Sequence, residues 1–289
     1  MVREAAVAGQ FYERDFDKLN KQIEACFQSK YGPGALPVKR TDKKIEGVIV
    51  PHAGYSYSGA CAAWAFKEIA ESLFPSVFLL IGPNHFGYGS GLSIEDWRTP
   101  FGIVRTDKDL VRGLKDNTVL KIAEQHHITE HSVEVQLPFL QFSNKDMLKN
   151  LRIAPIALGQ DIDFDVLGKQ IAQYLKKIRK RVVFIISSDF THYGPHYGYV
   201  PFSSDIPSRI NKLDQDAIDI ISNLNKSGFR DYINKTGITI CGFLPILTYL
   251  SFLEAFEEKP KVQLLMHYTS GDLMEDYTNS VSYASLIFK

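Results

Sequence analysis

Short runs of apolar residues recur along the chain, and between them apolar and polar residues alternate with the period of a helix. Runs rich in Val, Ile and Leu are typical of strands that are buried on both faces of a sheet. The runs predict strands at 47–50, 76–82, 151–159 and 181–189, a strand pair within 92–106, and two last strands at 260–268 and 280–288. The helical period predicts helices at about 15–28, 58–73, 130–142, 163–180, 208–224 and 243–257.

The alternation of strands with helices indicates an α/β fold with a largely parallel sheet. We expect a single domain over residues 1–289, with a mostly parallel central sheet flanked by helices and an antiparallel pair formed by the last two strands. Residues 29–44, rich in Gly and Pro, are expected to be a loop. Pro138 is expected to kink or end its helix. The cations at the end of the helix predicted at 163–180 are expected to lie in its last turn, where the helix dipole stabilises positive charge.

The charge balance narrows the choice of partners. The 289 residues carry 33 Lys and Arg against 33 Asp and Glu, so the formal net charge is 0. A neutral chain lacks the basic surface that binds nucleic acid or anionic membranes, and we expect neither as a partner.

Three cysteines are too few for a secreted disulfide framework. With no signal-peptide pattern and no apolar run near the ~18 residues of a membrane span, we expect a soluble cytoplasmic protein.

Reactive side chains follow three of the predicted buried strands at equivalent positions. His52 follows the first strand, His85 the second, and Asp189 and His192 follow the strand predicted at 181–189. Ligands of open parallel sheets bind outside the carboxyl ends of the strands. A single histidine after a strand is usually an ordinary loop residue, but three of them, each close to a glycine, favour a shared site.

One of the three cysteines also lies at a position that suits chemistry. Cys241 comes just before a predicted apolar helix, whose N-terminus would lower the pKa of a thiol. The alternative is a small buried hydrophobe, the commoner role of a free cysteine. Cys26 and Cys61 lie within predicted helices and are expected to serve packing.

A polar segment opens the helix predicted at 130–142. Its first residues, Glu130 and His131, allow two interpretations. A carboxylate at a helix start can cap the first turn, and it can also orient a metal-binding histidine. The sequence favours neither. His126 and His127, which precede the segment, are expected to be solvated.

Two neutral imidazoles and one anionic ligand suit a divalent transition metal, provided that His52, His85 and Cys241 converge in the fold. Such a set leaves coordination positions open for substrate and oxygen, as in the non-haem iron oxygenases. A thiolate is softer than a carboxylate, so Zn²⁺ and Cu(I) also fit. His192 and Asp189 would then be free for proton transfer.

Seven motifs together resemble the Memo family over nearly the whole chain, from about residue 3 to residue 287. They are AGQFY (8–12), PHAGYSYSG (51–59), GPNHFG (82–87), EHSVEVQLPF (130–139), SSDFTHYG (187–194), ICGFLPI (240–246) and SVSYAS (280–285). Memo proteins are in turn similar to the class III extradiol dioxygenases, whose fold is a single α/β domain with the metal at the edge of the sheet.

The resemblance implies roles for individual residues. His52 and His85 match the two metal-binding histidines, and His192 matches the acid/base histidine of the dioxygenases. Cys241 stands where the dioxygenases have a metal-binding glutamate. Because a cysteine replaces that carboxylate, catechol ring cleavage is not expected.

The resemblance also implies a pocket and partners. Asp189, Glu130, His131 and Tyr55 are expected to line the ligand pocket or to surround the metal ligands. Animal members look like adaptors for phosphotyrosine peptides, with redox activity at the same pocket. Microbial members are associated with a radical-SAM protein, which implies a partner in a modification pathway.

Three functions remain open, and so does whether the chain is an enzyme. The first is a metal-dependent, oxidoreductase-like activity on an unknown small-molecule or peptide substrate, with Fe²⁺ expected first and copper or zinc as alternatives. The second is a non-enzymatic binding or adaptor protein that takes an anionic, phosphotyrosine-like ligand in the same pocket. The third, and weakest, is a metal-free hydrolase with Cys241 as nucleophile, His192 as base and Asp189 as orienter.

Overall fold

Strands and helices alternate along most of the chain, as the apolar pattern predicts. The computed structural model describes residues 1–87 and 89–289. The strands in these ranges are β1 (Val2–Arg3), β2 (Gly47–Val50), β3 (Val77–Pro83), β4 (Gly91–Leu92), β5 (Asp96–Thr99), β6 (Gly102–Thr106), β7 (Arg152–Leu158), β8 (Val182–Ser187), β9 (His192–Tyr193), β10 (Val262–Thr269) and β11 (Ser280–Phe288). The α-helices are α1 (Phe16–Gln28), α2 (Tyr55–Glu71), α3 (Lys108–Asn117), α4 (Gln136–Ser143), α5 (Phe164–Leu175), α6 (Ile206–Ser222), α7 (Lys226–Thr236), α8 (Phe243–Glu254) and α9 (Ser270–Met274).

All of these strands join one sheet, whose central five strands run parallel. The order is β1-β5-β6-β7-β3-β8-β2-β11-β10, with β4 beside β7 and β9 beside β11. The pairs from β6 to β2 are parallel, whereas β11 is antiparallel to both β2 and β10. The α/β fold class and the antiparallel pair of last strands are therefore confirmed.

The central strands are buried on both faces because their apolar side chains alternate between two helical layers. In β3, Leu79 and Ile81 face a core that also contains residues of α3, α5, α6, α7 and α8. Phe78 and Leu80 face the opposite core, with residues of α1, α2 and α4. Continuous apolar runs, rather than alternating ones, are what such a strand requires.

Two details of the predicted helices were wrong. Pro138 does not end its helix: it is the third residue of α4, where its missing N–H is not needed, and the helix continues to Ser143. Helix α5 ends at Leu175, so the cations that follow lie after the helix and not in its last turn, where they were predicted. The sequence pattern also missed α3 and α7, which are short and largely polar.

No helix within residues 1–87 or 89–289 combines the length and the apolar character that crossing a membrane requires.

Candidate metal centre

The three strands that precede reactive residues lie next to one another, in the order β3-β8-β2. His52 lies two residues beyond β2, His85 two residues beyond β3, and Asp189 two residues beyond β8, while His192 opens β9. Because the three strands are parallel, their carboxyl ends meet at one edge. The shared edge expected for these side chains is therefore present.

Cys241 reaches the same edge from the start of α8. Its sulfur lies 3.1 Å from His52 Nε2, and the backbone N–H of Asp189 donates to it at 3.2 Å. The next residue, Gly242, allows this approach, because a Cβ there would lie 2.4 Å from the Cβ of Ser188. Potential ligand atoms of His52, His85 and Cys241 all lie within 4.8 Å of one another.

Hydrogen bonds fix the tautomer of His52. Ser187 Oγ donates its proton to the carbonyl of Ser132 (2.6 Å) and accepts from Gln136 Nε2 (2.8 Å). Its contact with His52 Nδ1 (2.8 Å) must therefore be a bond that the imidazole donates. The proton of neutral His52 consequently lies on Nδ1, and Nε2 presents a bare lone pair toward Cys241. Ser187 and Gln136 are positioning residues that the sequence pattern did not reveal.

A buried carboxylate does the same for His85. Glu130 accepts from His85 Nδ1 at 3.0 Å and also from the backbone N–H groups of His85, His131 and Ser132. Burial alone would raise the pKa of Glu130, but the hydrogen bond and charge of His85, the charge of His131 and the Ser132 N–H lower it to about 2. Glu130 is therefore an ionised acceptor for His85 Nδ1–H, and in the neutral tautomer that this bond selects the free lone pair lies on Nε2. Both interpretations of Glu130 find support: it caps the turn through the N–H groups of His131 and Ser132, and it orients His85.

These donors fit a transition-metal ion. Two imidazoles and one sulfur converge, and this mixture of borderline and soft donors suits Fe²⁺, Zn²⁺ and copper. Desolvation, followed by the negative charge of Asp189, raises the pKa of the Cys241 thiol well above its ordinary value. The expected lowering by the helix N-terminus is thus wrong, because burial outweighs it. A metal ion bound here would have to displace the thiol proton.

His192 faces the site with its own tautomer fixed. Nδ1 contacts the carbonyls of Phe190 (2.9 Å) and Thr239 (3.0 Å), which only accept, so Nδ1 carries the proton and Nε2 is bare. Asp189 makes no hydrogen bond with His192. Its Oδ1 instead accepts from the backbone N–H groups of His52 (2.8 Å) and Ala53 (3.4 Å). The proposed Asp189–His192 pairing of a hydrolase is therefore wrong.

A cavity of about 690 Å³ opens beside these groups and is lined by His52, His85, His131, Asp189 and His192. Tyr55 lies outside it. The Tyr55 ring is buried in the core and its hydroxyl donates to the carbonyl of Val135. Tyr57, one half-turn further along α2, lines the cavity instead.

Two more histidines differ in their surroundings. The His131 ring stacks on His85 with centroids 4.6 Å apart, and burial lowers its pKa to about 4. His127, expected to be solvated, is fully buried, and its Nε2 donates to the carbonyl of Gly91 at 3.1 Å. The polar sequence around His127 therefore does not predict its exposure, because the residue packs against Gly91 of β4.

A second cavity of about 440 Å³ reaches the centre from the other side. His85 and Cys241 both line it, together with Phe243 and Leu244 of α8. The Cys241 sulfur is therefore approached from a face different from the one that carries Asp189 and His192.

Comparison with known proteins places the chain in a family. The family model for Memo-like proteins matches residues 3–287. A MEMO1 family protein of Methanothermobacter thermautotrophicus is 36% identical over 293 residues, covering 99% of this chain and 100% of the relative. One of Sulfurisphaera tokodaii is 37% identical over 296 residues, covering 100% and 99%.

A solved structure of an uncharacterized protein from Escherichia coli K12 shares the fold. Its TM-score is 0.51 at 12% sequence identity, over 85% of this chain and 100% of that one. This likeness supports the α/β fold alone. The match of the family model and the near full-length relatives show that the chain belongs to the Memo-like protein family.

Proposed function

We propose that this chain binds one transition-metal ion, Fe²⁺ in the first place, through His52, His85 and Cys241, and that it carries out metal-dependent redox chemistry on a small or peptide substrate. The observation that carries the proposal is the convergence of three donor groups, two of which are imidazoles whose Nδ1 atoms are held by Ser187 and Glu130.

The ion would supply Lewis acidity and, if it is iron or copper, one-electron redox chemistry. The protein residues supply the rest. His192 Nε2 can accept a proton from a group in the cavity, because Nδ1–H is held by two carbonyls. Asp189 fixes the backbone of the His52 loop through Oδ1. His131, neutral because its pKa is about 4, closes the wall beside His85.

Anaerobic Fe²⁺ titration tests the ligand set. His52→Ala, His85→Ala and Cys241→Ala should each weaken binding by more than about 100-fold, since even the loss of a supporting group costs about 10–100-fold. Cys26→Ala and Cys61→Ala are matched controls, because both thiols are buried away from the centre and should leave affinity unchanged. Unchanged affinity in Cys241→Ala would refute the assignment.

His192→Ala separates proton transfer from metal binding. We expect this variant to retain the metal ion and to lose turnover or tight ligand binding, because its Nε2 is outside the converging ligand set. Loss of the metal ion would instead make His192 a ligand.

Cys241→Glu tests whether the cysteine at this position prevents catechol ring cleavage. The substitution keeps the ligand charge and hardens the donor, so it should lower Cu(I) affinity more than Fe²⁺ affinity. With Fe²⁺, O₂ and several catechols, we expect little or no coloured ring-opened product from the unaltered protein. Strong cleavage by that protein would contradict the view that the thiolate moves the site away from ring cleavage.

The adaptor function draws less support from the cavity. Phosphate groups are usually recognised by clusters of arginine, and no Lys or Arg lines this cavity among the described residues. A radical-SAM pathway partner stays a prediction of the family resemblance.

A further inference from the structure

One carboxylate oxygen in the cavity has no protein partner. Asp189 is only 4% exposed, and Oδ1 accepts both of the hydrogen bonds that its side chain makes with described residues. Oδ2 has none, although Asp189 lines the cavity. Oδ2 is not among the fully enclosed polar atoms, so it reaches the cavity and is free to accept a hydrogen bond from a ligand.

Among the described residues, the Asp, Glu, Lys and Arg side chains that line the cavity are all acidic. A second carboxylate, the exposed Asp276, lines it as well, and no lysine or arginine does so among the described residues. The imidazole of His192 turns a bare nitrogen to the site, which accepts hydrogen bonds but does not donate them. These walls offer hydrogen-bond acceptors and the charge of Asp276 to a cation with N–H donors, and they offer no cationic side chain among the described residues to a phosphate or carboxylate.

The remaining walls are aromatic. Phe11, Tyr57, Tyr197 and Tyr283 line the same cavity as Asp189. Aromatic rings bind apolar bodies, and the negative face of each ring also attracts an ammonium group. A volume of about 690 Å³ accommodates a ligand of a few hundred daltons or less.

We propose that the cavity binds a small organic ammonium compound with an aromatic or apolar body, its N–H groups donating to Asp189 Oδ2. The inference rests on the proposed function, because it names the substrate class of the same cavity. It requires no metal ion for the ammonium contact, so the two can fail separately.

Three probes with the same aromatic body test the sign of the charge. They are 2-phenylethylamine, which is cationic at pH 7, 2-phenylethanol, which is neutral, and phenylacetate, which is anionic. Calorimetry on the protein as purified, and again after chelator treatment, should show the amine binding at least ~10-fold more tightly than the alcohol, because of the charge-assisted hydrogen bond. Phenylacetate should bind most weakly. Equal or tighter binding of the alcohol or the carboxylate would overturn the inference, as would the absence of binding by all three at millimolar concentration.

Two variants locate the contact. Asp189→Asn should lower amine affinity by roughly 10- to 100-fold and change the affinity of 2-phenylethanol by less than about threefold. Asp276→Asn, at an exposed carboxylate, is the matched control and should lower amine affinity by no more than about threefold, an effect that salt removes. An unchanged preference for the amine in Asp189→Asn would refute the assignment. If that variant fails to fold, the three-probe comparison on the unaltered protein still decides.

Fe²⁺ titration of the same sample distinguishes the two failures. Tight metal binding without preference for the amine overturns the inference alone. Preference for the amine without metal binding overturns the proposed metal centre alone.

Discussion

Two buried glutamates four residues apart organise two regions with different tasks. Each carboxylate accepts four hydrogen bonds. Glu134 accepts from Arg3, Tyr12 and the backbone N–H groups of Ala6 and Val7, and this group is called the N-terminal anchor. Glu130 accepts from His85 twice and from the N–H groups of His131 and Ser132, and this group is called the metal side.

The two regions differ in what remains unpaired. In the N-terminal anchor, Arg3 forms a buried ion pair with Glu134 and also donates to the carbonyls of His127 and Glu130. Charges and donors there are matched, so the cluster holds the first residues against the fold. On the metal side, the bonds of Glu130 satisfy one edge of the His85 ring and leave the other edge bare. Unpaired atoms, rather than polar residues as such, therefore mark the site.

The largest effect is expected from Glu134→Gln. It leaves the guanidinium of Arg3 buried without a counter-charge, which costs about 3–5 kcal/mol in the free energy of unfolding. Urea denaturation measures the loss. Fe²⁺ affinity of the folded protein should stay within about threefold, and a larger change would mean that the anchor and the metal side are not separate regions.

Acid should lower the stability of the folded protein through His127. Burial lowers the pKa of His127 from 6.5 to about 4 in the folded protein. Between these values the unfolded chain binds a proton that the folded chain does not, so stability falls as the pH falls through this window, by about 3 kcal/mol in total. Denaturation midpoints between pH 7 and pH 4 measure it.

His131, on the metal side, has a similarly lowered pKa and contributes with the same sign. His127→Gln should therefore remove only part of the pH dependence, whereas His196→Gln, at an exposed position, should remove none. An unaltered pH profile in His127→Gln would contradict the attribution.

Glu130→Gln should act on the metal side with a smaller cost in stability. An amide no longer holds His85 as a carboxylate does, and Fe²⁺ affinity should fall by about 10–100-fold, which corresponds to about 1.4–2.8 kcal/mol. Anaerobic titration measures it beside Glu134→Gln. If Glu134→Gln weakened metal binding more than Glu130→Gln did, the contrast between the two glutamates would be wrong.

The smallest effect is expected from Tyr55→Phe, which removes the hydrogen bond to the carbonyl of Val135. The loss should be about 1 kcal/mol of stability, with no change in metal or ligand binding, because Tyr55 lies outside the cavity. Tyr57→Phe, on the cavity wall, is the matched variant and should not alter stability. A change in ligand affinity with Tyr55→Phe would show that Tyr55 contributes to the site after all.

The ends of the strands show which parts of the site could be predicted from the sequence. The positions of His52, His85 and Asp189 followed from buried apolar runs, because parallel strands carry their ends to one edge wherever they stand in the sheet. Cys241 approached the same edge, but its distance to His52 depends on how α8 packs and on the close approach at Gly242. The pattern could not reveal that Ser187 and Gln136 fix a tautomer, since a hydrogen bond depends on atoms from separate segments.

The sequence by itself determined the α/β class, the longer strands, most of the helices and the edge at which the reactive side chains gather, because local apolar periodicity and strand direction are enough for these. Only the tertiary structure decided which polar residues became inert and which remained available. Glu130 and Glu134 are the same residue type in one short segment, and so are Tyr55 and Tyr57. Their different roles come from the donors that distant parts of the chain bring to them, and no local pattern records those donors.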